Sequence, residues 1–300
     1  MDFVLLRVAV LLSGTACLAW QDAKTSFMDE RLLYALCAFG ILLNLASLQP
    51  TFIFYSLGVA TVIFGVGYVG YKKGAVGGGD VLLVTAIQLL LPQRPLEITQ
   101  AFLSFIAPSS SFNSLVFTRV VQQIPFFLSV IITASVLGLV GSSLMYAWQL
   151  KKKKLKPDFL GGAATAAASF IALYLVASIG TLSFLKIIVL AIVFLCAVFL
   201  NAFRKQIFEE CIVKEVPLSE VEDEDILAIE RIDVKVVAKY GLQKLLNKQG
   251  VARLKKAMEK EKMKTAPVAK TLPRFGPYLL AGVILSILIG DAVTYFVLFS

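Results

Sequence analysis

The sequence predicts an all-α polytopic membrane protein of about eight transmembrane helices, and three observations predict it. Hydrophobic residues make up 58% of the 300 and charged residues 16%, with a mean hydropathy of +0.81. A soluble domain carries roughly a quarter charged residues. The apolar residues gather into runs long enough to cross about 30 Å of hydrocarbon. The basic residues gather at the ends of those runs and on alternate connections, which is the positive-inside pattern.

The first run covers 3–20. It has no basic n-region and no small-x-small cleavage site before Gln21, so it reads as a retained helix and not a removed signal peptide. Runs over 32–49 and 52–71 follow. The next begins at Val81, is interrupted by Pro92 and Pro95 and resumes through Phe105, which predicts a broken or shortened helix. The stretch around 93–124, with Pro95, Pro108 and a Ser-rich centre, reads as a loop, re-entrant or not. Runs over 125–148, 159–179, 184–203 and 277–298 complete the count.

Placing the N-terminus outside puts Lys24 and Arg31, then Lys72 and Lys73, then Lys151 to Lys154 with Lys156, on cytoplasmic connections. The outer connections keep only Arg94 and Arg119. The chain thus divides into a membrane-embedded core (1–203), a mostly helical cytoplasmic insertion (204–274) and a final helix (275–300). In the insertion an acidic stretch from Glu220 to Asp225 precedes Ile226-Leu227-Ala228-Ile229. A helical pattern of Leu242, Leu245, Leu246, Val251 and Leu254 follows, broken by Gly250, and then a Lys-rich run from Lys255 to Lys264. Solvated connector and partner-recruiting module are both open readings of it.

The net charge of +9 does not imply nucleic acid, because the basic residues sit at membrane boundaries. Histidine is absent, which removes mechanisms built on an imidazole base or ligand. Cys17, Cys37, Cys196 and Cys211 have no metal-clip spacing, so neither a metal site nor a disulfide framework is expected, and no cofactor is. Gly65-x-Gly67-x-x-Gly70 has the dinucleotide-binding pattern, yet it lies inside a spanning run and follows no strand. Close helix packing through small residues explains it, as it does Gly161-Gly162-Ala163-Ala164.

Two acidic residues stand out by position. Asp22 ends the first run, and Asp80 opens the fourth after Gly77-Gly78-Gly79. Both fall at the cytoplasmic boundary. Two neighbouring carboxylates do not both ionise cheaply, so one stays protonated while the other acts as base on a water, giving an acid and a base without histidine. The glycines allow positive φ and close approach of a substrate strand, and the helix is expected to start at Asp80. The plainer alternatives are that Asp80 is an N-cap and Asp22 an interfacial charge beside Lys24.

Gly77-Gly78-Gly79-Asp80 resembles the GxGD signature of type IV prepilin peptidases, relatives of presenilin-type proteases. Gln21-Asp22-Ala23-Lys24 is similar to that family's other motif, an Asp followed two residues later by Arg or Lys. Leu272-Pro273-Arg274-Phe275-Gly276-Pro277-Tyr278-Leu279, continuing to Gly290-Asp291, resembles the segment that opens the family's last helix. The resemblance implies an aspartic endopeptidase with Asp22 and Asp80 as its dyad and Gly77, Gly78 and Gly79 shaping a substrate loop. It also implies removal of the short basic leader of pilin or archaellin precursors at the cytoplasmic face of the cell membrane. The four-cysteine insertion of the bacterial enzymes is missing, which favours the archaeal prepilin and preflagellin branch and leaves no basis for N-methyltransferase activity.

The chain departs from that pattern at Leu82, where the family usually has Lys, and at Met28-Asp29, where Ile-Pro often stands. Lys24, Asp29 and Glu30 lie beside the proposed site as leader-binding positions, with ordinary surface charge as the alternative. Asp291, toward the outer part of the last run, fits an interfacial or packing role. The reading from a different class is an ion-coupled secondary transporter, which also uses broken helices and membrane aspartates. A protease of the same chemistry that cuts inside helices is the other.

Overall fold

The computed structural model describes residues 3–106, 125–153, 159–178, 184–222, 225–261, 263–270 and 273–290. Most of them are helical, and every predicted apolar run carries helix. The membrane part comprises α1 (Val4–Thr25), α2 (Glu30–Ala46), α3 (Pro50–Lys72), α4 (Gly78–Leu90), α5 (Leu96–Ile106), α6 (Phe126–Lys153), α7 (Phe159–Ser178) and α8 (Phe184–Ala202). After a small subdomain the chain returns as α11 (Gly276–Leu288). Among the described residues α1, α3 and α6 are long and apolar enough to cross a membrane singly. The others are shorter, or are bent at a break, as α8 is by 66° where the chain runs into Arg204–Ile212.

The predicted break in the fourth run is real. Helix α4 ends at Leu90, Leu91 leaves helical backbone before Pro92, and α5 starts just after Pro95, because residues before proline avoid helical backbone. Residues 107–124, the rest of the predicted loop, lie outside the described residues.

Helix α4 is the centre of the bundle. It is apolar all round, and nearly every residue from Val81 to Leu91 is buried among α1, α2, α3 and α6. Leu83, Ile87 and Leu90 pack with Leu11 and Leu18 of α1, Leu33 of α2, Phe126 and Val130 of α6, and Leu279 and Val283 of α11. Two glycines let α4 sit this deep. A methyl group on Gly40 of α2 would come 2.8 Å from Leu89 Cβ, and one on Gly67 of α3 would come 2.5 Å from Val81. The dinucleotide-like pattern is therefore a packing feature at Gly67, and Gly162 likewise faces Ala202 closely. On its other side α3 leaves Phe54 77% and Val66 71% exposed, an outward apolar surface of the kind lipid covers.

A buried arginine that motif reading passed over ties the helices at the end away from Asp22. Arg7 of α1 donates to the carbonyl oxygens of Leu43 (2.8 Å) and Leu90 (3.0 Å) and to Asn44 Oδ1 (2.8 Å). Asn44 in turn donates to Ser56 (2.7 Å) and to the Leu89 carbonyl (3.0 Å). The guanidinium thus serves the unpaired carbonyls at the C-terminal ends of α2 and α4, where the helix dipoles are negative. The signal was available, since Arg7 is a charge inside an apolar run.

Residues 213–270 contain a sheet that helical periodicity does not reveal. Strand β1 (Val213–Val216) pairs antiparallel with β2 (Ala266–Ala269), with Val213 opposite Ala269 and Val216 opposite Ala266. Between them lie α9 (Val234–Tyr240), capped by Asp233, and α10 (Lys248–Lys260), capped by Asn247. Gly250 does not break a helix, as its place in the apolar pattern suggested. It is in the first turn of α10, its N–H bonded to Asn247 Oδ1 at 2.7 Å, while Leu245 is extended and bridges Ile226. Leu227, Leu246, Leu254, Ala266 and Val268 are fully buried together, so this short segment has a core of its own. Its root packs on α6, where Tyr146 and Leu150 meet Ile207 and Cys211.

Candidate active site

Asp22 lies on the buried stripe of α1 that runs through Arg7, Leu11, Thr15 and Leu18, the spacing of one helix face. That stripe carries the carboxylate inward in the last turn, and Asp22 is only 7% exposed. Its Oδ2 accepts the backbone N–H of Gly276 at 2.9 Å. Gly276 opens α11, so the carboxylate sits on the positive end of a helix. A methyl on Gly276 would come 2.9 Å from Asp22 Oδ2 and 3.1 Å from its Cβ, so this approach needs a residue without a side chain.

Arg274 completes the clasp. Its Nη1 donates to the Ala23 carbonyl and its Nε to Ser26 Oγ at 3.1 Å, at the C-terminal end of α1. The guanidinium also interacts with the Asp22 charge. Ser26, in left-handed backbone with φ 61°, ends α1 by donating its N–H to the Asp22 carbonyl at 2.9 Å. The ends of the chain's first and last described helices thus meet at Asp22.

Asp80 comes from the opposite direction. Helix α4 begins at Gly78 with Gly77 as its N-cap, so Asp80 stands in the first turn and is not the cap. No side chain caps this helix, which takes from Asp80 the ordinary role expected of an Asp before an apolar run. Its carboxylate folds back over Gly77, where a methyl would come 2.9 Å from Oδ2. The glycines are there for space and not for positive φ. Gly77 has φ −69°, and the left-handed glycine of the turn is Gly74, at φ 66°. Gly78 makes room for Tyr71, whereas a methyl on Gly79 would make ordinary contact with Met28 at 3.4 Å. Asp22 and Asp80 lie within electrostatic range of each other.

Met28 stands between the two aspartate-bearing segments. Methyl groups on Gly79 and Gly276 would come 3.4 Å from its Sδ and 3.0 Å from its Cε. The other predicted neighbours are placed less centrally. Lys24 is exposed and lies over the Trp20 ring at 4.3 Å. Asp29 is the N-cap of α2, accepting the Arg31 N–H at 2.9 Å, and Glu30 is exposed in its first turn. Leu82 is packed against the core, its carbonyl facing the Cys37 thiol at 3.9 Å, on the flank of α4 toward α2. Asp291 lies outside the described residues.

Gly276, Arg274 and Met28 are the residues whose part motif reading did not supply. The first two lie in the segment that resembles the opening of the family's last helix, but nothing local reports their contacts with Asp22 and Ala23, which span 254 and 251 residues.

Residues 9–143 match the Type IV leader peptidase family, a region that includes both aspartates and all three glycines. The chain is also 29% identical over 188 residues to the prepilin peptidase EppA of Methanothermobacter thermautotrophicus, a match covering 60% of this chain and 46% of that protein. Over residues 9–143 the chain is thus similar to type IV leader peptidases. The resemblance carried by the two aspartate motifs is thereby borne out at the level of family. No solved structure matches the chain. The chain spans about half the length of the curated relative it matches.

Within this leader peptidase region the structure brings Asp22 and the Gly77–Asp80 turn to one end of the bundle. Arg274 and Gly276, from beyond the matched residues, close over Asp22.

Proposed function

We propose that the chain is a membrane aspartic endopeptidase that removes the short basic leader of type IV pilin-like or archaellin precursors, with Asp22 and Asp80 as its dyad. In this reading eight spans place the N-terminus outside and the site at the cytoplasmic face of the cell membrane. The observation that carries it is the seating of Asp22 on the Gly276 N–H within electrostatic range of Asp80, two carboxylates at the same end of the bundle.

The hydrogen bonding supports one division of roles. Asp22, with a backbone N–H and a nearby guanidinium, is the carboxylate that holds negative charge, and Asp80 carries the proton. Water attacks the scissile carbonyl carbon and gives a proton to Asp22, while Asp80 gives its proton to the carbonyl oxygen. The resulting gem-diol collapses with cleavage of the C–N bond. The leaving nitrogen takes the proton from Asp22, and a diol hydroxyl returns one to Asp80, so the pair ends as it began. Glycine at 77 and 79 leaves the extended substrate room beside Asp80, and Met28 lines the same gap.

Co-expression with pilin and archaellin precursors tests this reading. Wild-type protein should convert precursor to the leaderless form, and Asp22→Asn or Asp80→Asn should abolish conversion while the protein stays in the membrane. Full processing by both variants would end the dyad assignment. A transporter with its ion site near mid-membrane draws no support from aspartates at helix ends.

A further inference from the structure

We propose that α10 docks on the anionic phospholipid headgroups of the leaflet from which its subdomain projects. The helix has two opposed faces. Leu254, Ala257 and Met258 are buried in the subdomain core, while Lys248, Arg253, Lys255, Lys256 and Lys260 are exposed on the other side.

The pairing of charge in the subdomain is one-sided. Four of its carboxylates are used within the fold. Asp225 binds Lys270 at 2.8 Å, Glu215 meets Arg231 at 3.8 Å and Thr265 at 3.0 Å, and Glu261 binds Lys239 at 2.8 Å. Asp233 caps α9. In contrast, the side-chain ammonium groups of Lys244, Lys248, Lys255, Lys256 and Lys264, all among the described residues, make no ion pair or hydrogen bond. On α10 five exposed cations stand against one exposed acid, Glu259, which leaves a net cationic array on and around one helix.

The position of the subdomain says what meets that array. It is rooted on α6 through Tyr146, Leu150, Ile207 and Cys211, and its exit is tied to α1 by Arg274. Both connections hold it at the ends of membrane helices, so the headgroup layer is always its most concentrated neighbour. Lysines held near an anionic surface gain from its potential and from counterion release, and the gain falls off within a Debye length. An acidic soluble protein would have to compete with that permanent surface. This inference is independent of the catalytic reading.

Lysine labelling of the full chain tests it. Protein reconstituted in nanodiscs of phosphatidylcholine, with or without phosphatidylglycerol, is treated with a water-soluble acylating reagent, and each lysine is read by mass spectrometry. Lys248, Lys255 and Lys256 should react about fivefold or more slowly in the anionic discs, and high salt should restore the rate. Lys214 and Lys235, exposed elsewhere on the subdomain, should react alike in both discs. The double substitution Lys255→Gln with Lys256→Gln should release Lys248 from protection without moving the melting temperature. Equal rates in the two discs, or equal slowing at every lysine, would overturn the proposal. Protection appearing in zwitterionic discs only when an acidic protein is added would overturn it in favour of that partner.

Discussion

Replacing Gly276 with alanine isolates the contact on which the proposed dyad depends. Gly276 is not among the residues with positive φ, and it opens a helix, so alanine meets no backbone strain there. Helix propensity even favours alanine by up to about 1 kcal/mol. The obstacle is spatial, because the new methyl would stand 2.9 Å from Asp22 Oδ2 and 3.0 Å from Met28 Cε. The methionine end can swing aside, whereas the carboxylate must leave the Gly276 N–H. A hydrogen bond to a charged group is worth about 1.5–3 kcal/mol. At 1.36 kcal/mol per tenfold in rate, kcat/KM should fall by about 10- to 150-fold. The assay is cleavage of a precursor by protein in nanodiscs under kcat/KM conditions, with thermal unfolding measured alongside. A variant with wild-type kcat/KM would refute the role of the Gly276 contact. A variant whose melting temperature falls with its activity would show that Gly276 serves packing and not the dyad.

Two other substitutions follow from the same geometry. Gly77→Ala places a methyl 2.9 Å from Asp80 Oδ2, and should lower kcat/KM by about tenfold while leaving Asp22-dependent packing and the melting temperature unchanged. Arg7→Leu strips the partners from Leu43 O, Leu90 O and Asn44, and should destabilise the bundle by about 3 kcal/mol or more, read as a lower melting temperature in detergent. Cleavage per folded molecule should be unchanged, since Arg7 is about 22 Å along α1 from Asp22 at 1.5 Å per residue.

The features legible in the sequence share one property: each is carried by neighbours in the chain. Apolar runs announced the helices, and Pro92 and Pro95 announced the break between α4 and α5, because hydropathy and proline sterics act locally. Gly77 to Asp80 marked a tight turn for the same reason. The mistakes have a matching cause. The three glycines suggest positive φ, but Gly77 and Gly78 answer to Asp80 and Tyr71 crowding against them, which no local pattern reports. Gly250 looks like a helix breaker only if the apolar pattern from Leu242 is one helix; the Asn247 cap sets the true start. Strands β1 and β2 are four residues each and meet across the whole subdomain, too short for an alternating pattern to stand out.

By itself the sequence determined a helical, membrane-type chain with an aspartate at the end of one helix and another in a glycine turn. It also carried the motifs of the leader peptidase family, whose match is confined to residues 9–143. Only the tertiary structure decided which groups surround those aspartates. Gly276 donates to Asp22 and Arg274 clasps the end of α1 because close packing of α11 on α1 brings together residues some 250 positions apart. Pairing of two carboxylates is a property of distance in space, and hydropathy along a chain constrains only which end of a helix each one occupies.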